Sequence, residues 1–213
     1  MIKTGIPPIY GWSQSGVTQI FQPTDSDQDG TWTKTNFSGH SPPSGSDNYN
    51  SDGSGGSTGI AGVTRYPDSD DGSVWKKAWF RFTNVSVAQG ATIKNAYLKV
   101  IISAASGNDV ATIVGADLDN VSQPSGGGGA HSLHTSASVA WSNPTASGTN
   151  YVSSPDIKTI VQEIVNRSGW SSGNAMMIQV YYQSSVTGDQ SRSFLQWDTN
   201  SNTSQAAKLE IST

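Results

Sequence analysis

Several short stretches of this chain carry residue types that could do chemistry. GWSSG, at 169–173, has the G-x-S-x-G form of a serine-hydrolase nucleophile elbow. An elbow sets its serine between a preceding strand and a following helix. Here the pattern ahead of Ser171 is helical and the pattern after it is strand-like, the reverse order, so catalysis by Ser171 is not expected. HSLH puts His131 and His134 three apart, a spacing that holds a metal on a helix. The four glycines at 126–129 argue against a helix there and for a loop with two solvated imidazoles. In DSDQDG, Asp25, Asp27 and Asp29 alternate ahead of Gly30, as in the first half of a calcium loop. The twelfth position is Asn36 rather than a bidentate glutamate, so an acidic turn is expected, with a weak calcium site as the one conceivable cofactor. YPDSDDG adds Asp68, Asp70 and Asp71, which could join such a site if the fold brought them close.

The other chemistries find less. The only glutamates, Glu163 and Glu210, fall on different elements, and no acid–base pair for glycoside hydrolysis stands out. There is no P-loop and no dinucleotide fingerprint. Trp75 and Trp79 lie four apart and point to one side of a regular strand; with Tyr182 they form the candidate platform for stacking a sugar ring. The expectation is a protein that is not an enzyme.

Composition narrows the classes. Charged residues are 13% of the 213, about half the usual share of a soluble domain, and polarity comes from Ser, Thr, Asn, Gln and Gly instead. The net charge of -4 advertises no nucleic-acid or anionic-membrane partner. With no cysteine, disulfide frameworks, thiolate catalysis and zinc–thiolate sites are excluded. No apolar run approaches the roughly 20 residues of a membrane helix, and MIKTGIPPIYGW lacks the apolar core of a signal peptide.

The elements that would position these residues are mostly strands. Segments such as VWKKAWFRF, NAYLKVIIS, DVATIVGADL, TSASVAW, AMMIQVYYQ, RSFLQWD and AKLEIS predict roughly nine strands separated by turn signals, an all-β sandwich of jelly-roll type. One helix interrupts them, in SPDIKTIVQEIVNRSGW. Ile157, Ile160, Val161, Ile164 and Val165 form its apolar stripe. Ser154 is the expected N-cap and Pro155 the first helical residue, with Gly169 in the left-handed conformation and Trp170 folded back over the end. Residues 1–15 read as an extended arm whose Ile6, Pro7, Pro8, Ile9, Tyr10 and Trp12 would bind a partner, and 16–213 as a single domain. Within that domain 38–73, rich in Gly, Ser and Asp, reads as one long loop.

RFTNVSVAQGATIKNAYLKV, SPDIKTIVQEIVNRSGWSSGNAMMIQV and the closing AAKLEIS resemble the DNRLRE-type, carbohydrate-binding-like jelly-roll modules of bacterial surface proteins and phage structural proteins, over roughly 74–213. The resemblance implies a β-sandwich with a short helix and no catalytic site. The apolar arm, the Gly/Ser/Asp-rich stretch and a chain carrying its own Met1 depart from an exported module. Together these point to a capsid-decorating (cement) protein on the virion surface, trimeric, with the major capsid protein and its own copies as partners. The alternative is an extracellular or cell-surface glycan binder or tail-fibre adhesin.

Overall fold

The computed structural model describes residues 16–35, 50–51, 60–65, 74–124, 130, 132–142, 144–182, 190–195 and 203–213. Among them the chain is an all-β sandwich with one α-helix, as the strand pattern predicts. One sheet has four antiparallel strands in the order β1 (Thr18–Phe21), β13 (Lys208–Ser212), β6 (Asn95–Val100), β10 (Val152–Ser153). The other has nine. Its main path runs β7 (Ile102–Ser106), β12 (Gln190–Leu195), β4 (Ile60–Arg65), β5 (Val74–Phe82), β11 (Met176–Tyr182), β8 (Val110–Ala116), β9 (His134–Ser142). β2 (Asp29–Thr35) also pairs with β5, and β3 (Asn50–Ser51) with β2.

Period-2 alternation decides which side chains meet. Ala96, Leu98 and Val100 of β6 face inward beside Leu209 and Ile211 of β13. They pack against Ala78, Phe80, Phe82, Ile113, Ile178 and Val180 of the large sheet, all fully buried. The long apolar run at 96–102 does not stay one strand. It breaks at Ile101, where the chain crosses from the four-stranded to the nine-stranded sheet, and the Ile101 carbonyl accepts from Leu195 N–H.

The helix α1 (Lys158–Val165) closes one end between the sheets. Its five stripe residues are at most 1% exposed. Burying each such aliphatic side chain contributes about 1.5–3 kcal/mol before conformational entropy is charged against it. The approach to β8 is close enough that only glycine fits at position 115. A Cβ there would lie 2.6 Å from Ile164 Cδ1 and 2.8 Å from Ile160 Cγ2.

Both ends of the helix differ from expectation. Ser154 and Pro155 precede it, because the chain stays hydrogen-bonded to β6 through Ser154 N–H to Leu98 O and Ile157 N–H to Ala96 O. Ile157 is the N-cap residue; ahead of it Ser154 Oγ accepts from Leu98 N–H, and Asp156 Oδ1 accepts from both Ala96 N–H and Lys158 N–H at 3.0 Å. Gly169 is not among the left-handed residues; Gly173 is, at φ 98°. Glycine is needed at 169 because the Asp119 carboxylate lies where a Cβ would go. Trp170 does fold inward, donating its indole N–H to Val87 O. Strands β3 and β4 fall inside 38–73, so that stretch is not one loop. The rest of it, and the arm at 1–15, lie outside the described residues.

Candidate functional site

The aromatic platform does not exist as expected. Trp79 is fully buried and Tyr182 is 1% exposed, and they occupy opposite faces of the large sheet. Tyr182 joins the main core, while Trp79 packs on Trp32 (ring centroids 5.6 Å apart) in a second, smaller core with Val121, Ala175 and Met177. The sheet is covered on both sides, so neither ring offers a face to a sugar. For Trp75 only the backbone, in β5, is described.

The calcium reading also fails. Asp25 and Asp27 sit in a short 3-10 turn, whereas Asp29 begins β2 and is fully buried. Strand pairing of Asp29 with Phe80 carries it away from the turn. No group of three or more His, Asp or Glu side chains among the described residues could hold a metal. Asp68, Asp70, Asp71, His40 and His131 lie outside that set. Ser171 is exposed in the turn after the helix, with β11 following, so no elbow forms. The partner-binding arm residues Ile6, Pro7, Pro8, Ile9, Tyr10 and Trp12 lie outside the described residues.

The polar residues of the helix region are occupied with fastening. Glu163 takes two β9 backbone N–H groups, Ser136 at 2.6 Å and Ala137 at 2.8 Å. Gln162 bridges Ile93 N–H and Ala91 O. Arg167 pairs with Asp117 and Asp119, and the Asp119 hydrogen bond chiefly raises its pKa. Such charge-assisted contacts fix the loop after β8 against the helix end.

One cluster is not used this way, and sequence reading missed it. Lys77, mid-strand in β5, is only 7% exposed. Its Nζ lies 2.8 Å from His134 Nε2 and 4.8 Å from the centre of the Tyr181 ring, on which the His134 ring stacks at 5.7 Å. β11 brings Tyr181 alongside β5, and the first residue of β9 brings His134, so the solvated-loop reading of this histidine is overturned. Burial lowers the Lys77 pKa from 10.5 to about 7 and raises that of Tyr181. The signal was present in VWKKAWFRF: Lys77 stands two residues from each of Trp75 and Trp79, in line for the same face.

Among the described residues, β1 is an edge strand of the four-stranded sheet. Val17 and Ile20 are 61% and 60% exposed there. No protein-family model matches the chain, and no curated protein matches it significantly.

Proposed function

We propose that this chain is a non-enzymatic structural protein of a phage particle, a capsid-decorating (cement) protein seated on the major capsid protein and on its own copies as a homotrimer. The observation that carries this reading is the apolar edge. β1 leaves Val17 and Ile20 in solvent at a sheet margin. The segment running into that margin holds Ile6, Ile9, Tyr10 and Trp12. Among the described residues β1 pairs on one side only, with β13, and an apolar segment adjoining such an edge suits addition to a neighbouring subunit. Repetition over a symmetric shell multiplies modest contacts into firm attachment. The polar side chains of α1 and its flanks, which might otherwise mark a reactive site, are consumed in tying the sandwich together. The glycan-binding alternative loses support with the burial of Trp79 and Tyr182.

The test is the solution mass by light scattering of the full chain and of a chain beginning at Gly16, followed by co-sedimentation of each with capsids. The expected result is a mass of three 22.4-kDa chains and capsid binding for the full chain, both lost on truncation while the far-ultraviolet CD spectrum is kept. Undiminished capsid binding by the truncated chain would overturn the docking role of the arm. A full chain that ignores capsids would overturn the functional reading.

A further inference from the structure

Sheet margins are guarded against strand addition by brevity, a bulge, a charge or cover. Among the described residues the margins follow that rule except at one place. β10 and β3 are each two residues long. β7 shifts register opposite Ser193 and Phe194, and Ser147 exchanges hydrogen bonds with Ile102 at its start. On β9 the Glu163 carboxylate takes the N–H groups of Ser136 and Ala137. Among the same residues β1 has none of these devices: it is regular, holds no charge and no proline, and pairs on one side only, with β13. We propose that β1 pairs, antiparallel and about a twofold axis, with β1 of a second copy of this chain. The inference rests on the reading of a protein that meets its own copies on a repeating shell, and it names the contact between them.

The register follows from the backbone. Thr213 N–H donates to Val17 O, so Val17, Gln19 and Phe21 turn their backbone groups toward β13. Thr18 and Ile20, between them, turn theirs to the other side. An axis through Gln19 sets Thr18 opposite the second copy's Ile20, where the two exchange N–H···O=C bonds, and Gln19 opposite the second copy's Gln19. Val17 then lies opposite the second copy's Phe21, a ring partly buried against the main core. Val17 and Ile20 are the exposed apolar side chains of this margin, at 61% and 60%, and the pairing covers both. Aromatic and β-branched side chains are favourable cross-strand neighbours. An axis through Thr18 or through Ile20 would instead set Val17 against Gln19 or against Pro23. The contact is small against the roughly 800 Å² per partner of a stable complex, so it leaves the mass in dilute solution unchanged and holds where copies are already neighbours.

The chain has no cysteine, so introduced ones report the contact cleanly. Cα atoms of directly opposed residues lie about 4.5–5.5 Å apart, within reach of a disulfide. Full-length chains at about 1 mM are oxidised with glutathione disulfide, without capsids. Gln19→Cys should form a disulfide-linked pair of 22.4-kDa chains at least about tenfold faster than Thr18→Cys or Ile20→Cys alone. A mixture of Thr18→Cys and Ile20→Cys chains should cross-link as Gln19→Cys does, and adding Ile20→Lys to the Gln19→Cys chain should abolish its cross-link. Thr18 and Ile20 are both exposed, so the mixture decides even where Gln19→Cys does not fold. No acceleration in the mixture over its single components would overturn the pairing. So would Thr18→Cys reacting equally fast with Tyr10→Cys, a result that gives the edge to a neighbour's arm. With no capsid present, such a failure is separate from a failure of the decorating role, which co-sedimentation with capsids reads.

Discussion

Replacing Lys77 by methionine should change how stability depends on pH more than it changes the fold. The unfolded amine keeps its proton up to about 10.5, whereas the buried one releases it from about 7. Between those values the unfolded chain binds more protons, so stability rises with pH; below about 7 both forms are charged and the full burial penalty is present. Each pH unit in that window is worth about 1.4 kcal/mol, and the whole interval about 5 kcal/mol. The usable range ends near pH 9.5, because burial raises the pKa values of Tyr151, Tyr181 and Tyr182 and their folded forms resist ionisation above the ordinary value of 10.0. Urea unfolding of the wild-type chain should therefore show a gain of about 2–3 kcal/mol between about pH 7.5 and pH 9.5. Lys77→Met conserves much of the side-chain volume and removes the titrating group. Its curve over the same range should lose that gain, with a stability at pH 7.5 raised by the lifted penalty less about 1 kcal/mol for the hydrogen bond to His134. A wild-type stability flat in pH, or an equal slope in the variant, would refute the assignment of a desolvated amine at this position.

The remaining predictions concern how the sandwich is fastened. Gly115→Ala should cost about 1–3 kcal/mol in urea unfolding, since its Cβ meets Ile164 and Ile160 and the helix must shift. Arg192, 1% exposed, gives its guanidinium N–H groups to the carbonyls of Pro144, Ser106, Ser191 and Gly107. Arg192→Met should leave those acceptors unanswered, cost about 3–5 kcal/mol and be the most damaging of these variants by thermal unfolding. Tyr182→Phe removes a hydroxyl that has no hydrogen-bond partner and should leave stability within about 0.5 kcal/mol or raise it, with a drop beyond 1 kcal/mol by the same assay counting against the burial described.

Much of the architecture was legible in residue order, and the reasons are local. Alternation in NAYLKV and KLEIS marks strands with one buried face, because their sheet has solvent on the other. The helix stripe Ile157, Ile160, Val161, Ile164, Val165 was legible because a 3.6-residue period is hard to satisfy any other way. Its start was not. Ser154 and Pro155 have the residue types of a helix start, yet three-dimensional pairing keeps the chain bonded to β6 as far as Ile157, which is the N-cap residue instead. The end of the helix was misread for a related reason. The demand for glycine at 169 comes from Asp119, fifty residues away in sequence, and not from a left-handed turn.

The candidate site failed where the large sheet departs from the usual sandwich. An aromatic strand with one face in the core is expected to show its other face to water, and on that rule Trp79 becomes a platform. Here Phe80 and Phe82 point into the main core while Trp79 and Trp32 point into a second one, so the strand is buried twice over. A strand in that position reads as continuously apolar, and VWKKAWFRF does so except at Lys76, Lys77 and Arg81. A long charged side chain placed between two tryptophans on a face expected to be wet needs no explanation. On a face that turns out to be covered it does: His134, the first residue of β9 in the same sheet, lies in hydrogen-bond reach of Lys77. A buried charge-bearing group is costly unless it is neutralised or partnered. The same double burial that removes the sugar platform also takes Lys77 out of solvent, and its place between two tryptophans was the one mark of this in the sequence.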